Sequence, residues 1–193
     1  MPTRVLVVPG SLRRESFAKK LARAAGALVA GHGGEATVVD LADFAMPLYD
    51  GDLEEHEGLP EAAVRLRQLV QQHDALLVVS PEYNASIPAV LKNALDWVSR
   101  PHAPEPGVSA FRGKVAAVMS SSPGALGGLR GLVHLRQILM NLGLLVISEQ
   151  YALGGAASAF TQDGGLAEER STKSVAAVVG ALVEVAGKLR RPL

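Results

Sequence analysis

Ala75-Leu76-Leu77-Val78-Val79 holds five apolar residues in succession, closed in by Asp74 before and Ser80-Pro81 after. A strand with one wet face alternates polar and apolar residues; one without alternation is buried on both faces, the pattern of a central strand in a parallel sheet. Parallel neighbours cannot be joined by a hairpin. Each needs a crossover, usually a helix, so this run commits the chain to alternating strands and helices.

Arg4-Val5-Leu6-Val7-Val8-Pro9 reads as a first strand, and Phe17, Leu21, Ala24, Ala25 and Leu28 recur at helical spacing until Gly31-His32-Gly33-Gly34 stops them. Ala36 to Leu41 reads as a second strand. The acidic stretch from Ala42 to Glu57 reads as a long loop, which at that length is a functional lid or an interface element. A helix is expected over Leu59 to His73, with Pro60 in its first turn and Leu66, Leu69 and Val70 inward. After the central strand comes a helix through Leu91, Ala94, Leu95 and Val98, then a Pro- and Gly-containing connection from Pro101 to Gly113. The fourth strand is Val115 to Met119. The helix that follows, Leu129 to Leu142, is apolar at Leu132, Val133, Leu135, Ile138 and Leu139, over more of its girth than one sheet covers, which suggests a subunit interface. Leu144 to Ser148 is the fifth strand, Gly154 to Gly165 a mobile-looking stretch, and Val175 to Leu189 the last helix. Five strands alternating with five helices imply an α/β fold with a parallel sheet covered on both faces. At 193 residues, with neither repeat nor linker, a single domain over 1–193 is expected.

Lysine plus arginine and aspartate plus glutamate number 19 each, so the chain has no charge excess to recruit nucleic acid or an anionic membrane. With no cysteine, thiol nucleophiles, disulfides and cysteine-bound clusters are excluded, and the five histidines show no ligand spacing, so no metal site is expected. The acids Asp50, Asp52, Glu54 and Glu55 read as a solvated loop. No signal peptide and no run of about 18 apolar residues is visible, which points to the cytoplasm.

In a doubly wound sheet the strand-to-helix loops share the carboxyl edge, and ligands bind where strand order reverses. Three of those loops are unusual here. The first, Gly10-Ser11-Leu12-Arg13-Arg14-Glu15-Ser16, leads into a helix N-terminus; Ser11, Arg13 and Ser16 add two hydroxyls and a guanidinium to the helix dipole, a donor set suited to phosphate. It matches neither the nucleoside-triphosphate loop nor the dinucleotide fingerprint, and a bare N-cap with a solvated arginine would look similar. The second, Pro81-Glu82-Tyr83-Asn84, suits a planar heterocycle: amides and Asn84 for a polar ring edge, Tyr83 for an aromatic surface. The third, Ser120 to Gly128, is a Ser/Pro/Gly loop. A sheet order 2-1-3-4-5 would make the three neighbours.

Gly10-Ser11-Leu12-Arg13 with Ser16, the block from Pro81 to Trp97, and Ser122-Pro123-Gly124 with Gly127-Gly128-Leu129-Arg130 together resemble the three signatures of the NADPH-dependent FMN reductase family, which includes bacterial quinone, azo-dye and chromate reductases. The resemblance implies a flavodoxin-like three-layer sandwich, five parallel strands in the order 2-1-3-4-5 with helices on both faces, assembled as a homodimer or homotetramer. By the same resemblance Ser11, Arg13, Ser16 and the amides from Phe17 onward would hold the FMN phosphate. Pro81, Glu82, Tyr83 and Asn84 would border the isoalloxazine, with Ser120, Ser122 and Gly124 on its other side, and the helix from Lys92 to Trp97 would lie near a partner subunit. The family often has asparagine where this chain has Ala18 and glycine where it has Ala89; losing an amide beside the phosphate is worth about 1 kcal/mol.

Such an enzyme passes hydride from NADPH or NADH through FMN to a small acceptor, so no catalytic side chain is required; stacking geometry, exclusion of water and backbone N–H groups near the flavin suffice. The alternatives are release of reduced FMN to a monooxygenase, or a flavodoxin-type electron carrier, although carriers of that kind are typically strongly acidic and this chain is neutral. A phosphoacceptor domain would need an aspartate at the end of the third strand, and Val79-Ser80-Pro81 has none.

Overall fold

The computed structural model describes residues 1–190; positions 191–193 of the expected domain lie outside the described residues. Strands β1 (Thr3–Pro9), β2 (Gly34–Val38), β3 (Ala75–Ser80), β4 (Val115–Ser121) and β5 (Leu145–Leu153) form one sheet in the order β2-β1-β3-β4-β5. All four pairings are parallel. The order reverses between β1 and β3, as the sequence led us to expect.

Period-two alternation sends neighbouring residues of a strand to opposite faces. Leu6, Val8, Leu76, Val78, Ala116 and Val118 therefore pack with α3 (Glu61–Gln72), α4 (Ala89–Val98) and α5 (Leu129–Asn141). Val5, Val7, Leu77, Val79, Ala117 and Met119 pack with α1 (Phe17–Val29) and α6 (Glu169–Leu189). The sheet thus separates two hydrophobic clusters, and all of Ala75–Ser80 is buried, as its lack of alternation requires.

Both edge strands depart from expectation. β2 runs over Gly34–Val38 rather than Ala36 to Leu41, because Asp40 turns the chain out of the sheet: its carboxylate accepts the Ala42 N–H at 3.0 Å and caps a 3₁₀ turn over Leu41–Asp43. β5 runs on to Leu153, well past Ser148, with a register shift opposite Ala117 that absorbs Ser148 and Glu149 as it continues along β4.

The stretch from Ala42 to Glu57 is not a plain loop. It contains a sixth helix, α2 (Gly51–Glu57), capped by Asp50. It is fastened to α4: the Asn93 amide and the Trp97 indole both donate to the Pro47 carbonyl at 2.8 Å, and the Tyr49 N–H donates to Asn93 at 2.8 Å. Tyr49 meets Trp97 edge-on at 5.0 Å, and Arg100 lies over Tyr49 while bonding Glu54. The connection from Pro101 to Gly113 is held from within by Arg67 of α3, discussed below. No helix among the described residues is long and apolar enough to cross a membrane.

Candidate functional site

Pro9 lies beside Val79, and Ser80 beside Ser120, so the loops after β1, β3 and β4 leave the carboxyl edge side by side. Gly10 extends the ladder by one bond, its N–H donating to the Val79 carbonyl at 2.9 Å. A Cβ at Gly10 would meet Leu91 of α4 at 2.8 Å, so glycine lets helix and loop close up here.

In the first loop Ser11 and Ser16 are buried and Arg13 is exposed. The Arg13 N–H donates to the Ser11 hydroxyl oxygen at 3.3 Å. Ser16 occupies the N-cap of α1 with extended backbone, yet its hydroxyl makes no cap bond and the first turn carries no acid. The leading N–H groups of a helix have no partner inside it, so those of Phe17, Ala18 and Lys19 remain open donors at the positive end of the dipole. Phe17 itself lies parallel to Phe160, centroids 6.4 Å apart. Ala18, at 1% exposure, has joined the core.

The second loop is a tight turn. Tyr83 and Ser86 exchange backbone bonds of 2.9 and 3.0 Å across Asn84 and Ala85, whose φ values of 50° and 62° are left-handed. Two such residues in succession match a type I′ turn, at a cost of order 1 kcal/mol each without glycine. Held this way, Tyr83 and Asn84 stand exposed, while Pro81 is half-buried behind them. The Glu82 side chain turns away to α5: it accepts from Arg130 Nε at 2.9 Å and from the Gly131 N–H at 3.0 Å. It thereby caps a helix whose own N-cap, Gly128, has no side chain. Burial pushes the Glu82 carboxyl up, but the Arg130 guanidinium and the Gly131 N–H outweigh it and hold the group below its ordinary 4.5.

The third loop differs from expectation at its start. Ser120 and Ser121 belong to β4, and Ser120 is 0% exposed with its hydroxyl unpartnered, so its side chain is withdrawn from the cleft wall. The half-buried Ser122 and the exposed Gly124 form the rim, the Gly124 N–H donating to the Ser122 hydroxyl at 3.2 Å. A Cβ on Gly127 would stand 2.7 Å from the backbone of Ala152, Leu153 and Gly154, so only glycine lets this loop lie against β5. The stretch from Gly154 to Gly165 closes the same side: Ala156 donates to the Ser122 carbonyl at 3.1 Å, and Phe160 bridges to Leu166. It is tied to the start of α1 at Phe17 and to the third loop at Ser122.

The donor set fits the expected cofactor. Two hydroxyls, an exposed guanidinium and a run of helix N–H groups without partners inside the helix match a dianionic phosphate, and the exposed turn at Tyr83 and Asn84 matches a planar ring with a polar edge. A cavity of about 650 Å³ lies at the opposite, amino edge, lined by Arg4, Asp74, Arg112, Lys114 and Arg190; none of the three loops reaches it.

Residues 3–158 match the family described as NADPH-dependent FMN reductase. The chain belongs to that family. This FMN reductase is 45% identical over 164 residues to a quinone reductase of Pseudomonas putida, covering 84% of this chain and 83% of that one. Among solved structures it resembles FerB, a flavoenzyme NAD(P)H:(acceptor) oxidoreductase from Paracoccus denitrificans, with a TM-score of 0.82, 31% identity and coverage of 97% and 98%. A flavodoxin from the domain Archaea shares the fold at a TM-score of 0.61 and 13% identity, covering 96% of this chain and 99% of that one. The enzyme is thus an oxidoreductase that uses FMN with NAD(P)H, on a flavodoxin-like fold.

Sequence reasoning missed three roles. Lys19 was not singled out, Glu82 gave no sign of capping a helix that starts 47 positions on, and Phe160 lay in a stretch without periodicity.

Proposed function

We propose that this chain is one FMN-binding domain acting in the cytoplasm, where it oxidises NADPH or NADH and reduces a quinone or a similar small acceptor. The observation that carries the reading is the uncapped, acid-free start of α1 beside Ser11 and Arg13, one strand away from the strained turn at Tyr83 and Asn84. Ser11, Arg13, Ser16 and the amides from Phe17 hold the phosphate. Pro81, Tyr83, Asn84 and the Glu82 backbone border one side of the ring system, and Ser122 and Gly124 the other. FMN held there would supply the redox chemistry, hydride acceptance from a nicotinamide and two-electron reduction of an acceptor. The protein orients the reactants and excludes water; no side chain is assigned as acid or base. The similarity to a quinone reductase over most of both chains supports a quinone acceptor. The enzyme works as a homodimer or homotetramer, a reading supported by the exposure of Leu129, Val133 and Met140 along α5, whose Leu132, Leu135 and Leu139 already cover the sheet.

The test is anaerobic. Protein loaded with FMN is titrated with NADPH and then with a benzoquinone while flavin absorbance is followed. Bleaching by NADPH and recovery with quinone are expected. A flavin that binds yet does not bleach would overturn the enzymatic reading, and light scattering decides the assembly state.

A further inference from the structure

Lys19 sits in the first turn of α1 but is only 5% exposed, and lysines are seldom buried so far unless paired. Its Nζ lies 2.6 Å from Asp40 Oδ2 and 3.5 Å from the Leu12 carbonyl oxygen. The other Asp40 oxygen accepts the Ala42 N–H, so the carboxylate is fixed from two sides. Burial pushes the Asp40 carboxyl up; the bonds from Lys19 and Ala42 and the charges of Lys19 and Arg23 hold it below its ordinary 3.8, so it stays an anion at neutral pH.

A trans peptide unit points its C=O and the following N–H in opposite directions. An ammonium that draws the Leu12 carbonyl towards α1 therefore directs the Arg13 N–H the other way, where the Ser11 hydroxyl oxygen receives it. With an acceptor lone pair occupied, the Ser11 hydroxyl keeps its proton to donate. The positive charge of Lys19 is matched by Asp40 and so is not spent on a ligand.

We infer that Lys19, anchored by Asp40, is a positioning residue for the cofactor phosphate: it fixes the Leu12–Arg13 peptide plane and so presents Ser11 as a phosphate donor. The inference rests on the FMN reading above and deepens it. Lys19 contacts the loop and not the ligand, and its influence is confined to the phosphate end of the site.

The experiment compares two probes, FMN and riboflavin, which share the ring system and differ in the phosphate. Dissociation constants are taken from quenching of flavin fluorescence on wild type, Lys19→Met, Lys19→Arg, Ser11→Ala and the Lys19→Met/Ser11→Ala double variant. Lys19→Met is expected to weaken FMN about tenfold and to leave riboflavin unchanged. Lys19→Arg, which keeps a cation in reach of both partners, is expected to restore most of the loss, and the double variant to be no weaker than Ser11→Ala alone. Equal weakening of FMN and riboflavin would show a general structural role and overturn the inference, as would an unchanged FMN constant or additive losses in the double variant. If Lys19→Met does not fold, Lys19→Ala, which also removes the donor, is read by the same criteria. Wild type that binds riboflavin as tightly as FMN would instead overturn the phosphate reading itself.

Discussion

Two polar loops of this protein are served by an arginine each, and they use it in opposite ways. Arg67 reaches from α3 into the connection after α4 and is 1% exposed. Its guanidinium donates to the carbonyls of Val98, Arg100, Pro106 and Gly107, to the Ser109 hydroxyl and to the Glu105 carboxylate, at 2.9 to 3.2 Å. Arg13, in the loop after β1, is exposed, and its side chain makes no hydrogen bond among the described residues. The first loop is closed on itself by its arginine; the second holds its donors open. Residue type alone does not separate a structural loop from a binding loop, whereas the presence or absence of internal acceptors does.

The comparison breaks most visibly at Arg67. Arg67→Met should cost about 3 kcal/mol or more, since four carbonyls and a carboxylate lose their donor together, while the FMN dissociation constant below the unfolding transition stays at its wild-type value. Denaturant unfolding checks the first part and flavin titration the second. Arg13→Ala should show the reverse: FMN binding weakened by about ten- to a hundredfold, with the unfolding midpoint of the FMN-free protein unmoved. An unchanged FMN constant would remove Arg13 from the phosphate site.

Glu82 lies between these extremes, tying one site loop to another through Arg130 and Gly131. Glu82→Gln should cost about 1 kcal/mol as a weakened cap. The acid dependence follows from its lowered pKa: the carboxylate's contribution is fully present above its ordinary 4.5 and is lost as pH falls through the lower folded value. Unfolding measured from pH 6 downward should therefore show the gap between wild type and Glu82→Gln closing below about pH 4.5. The smallest effect is a gain. Ala85 holds φ 62° with a Cβ, so Ala85→Gly should stabilise the turn by up to about 1 kcal/mol; a loss of stability would mean that the left-handed turn is not populated in solution.

The central sheet was legible because β1, β3 and β4 are short apolar runs, and a run buried on both faces leaves that mark directly in the sequence. The edge strands were less so. Glu35 and Thr37 in β2, and Glu149 and Gln150 in β5, face solvent and weaken the apolar signal just where those strands extend. Helix α2 was missed because none of its seven residues is buried and it has no apolar stripe to betray its period. Of the site, Ser11, Arg13, Ser16, Glu82, Tyr83 and Asn84 could be named from local sequence, since the chemistry of a loop before a helix is local. The tie from Glu82 to α5 and the role of Arg67 outside the site could not be read, because their partners lie 31 to 49 positions away and a charged residue on a helix or in a loop ordinarily reads as solvated. Ser120 was placed in the loop for the complementary reason: a serine at a strand end reads as a stop, and here it is fully buried within β4.

The division of the interior by the sheet has a consequence for anyone reshaping this enzyme. Leu66 and Leu135 belong to one cluster, Leu21 and Leu182 to the other, and among the described residues no side chain is shared between the two. Substitutions more than about 7–10 Å apart without common partners combine nearly additively. Stabilising changes can therefore be selected on each face separately and merged afterwards, so two modest searches replace one combinatorial search.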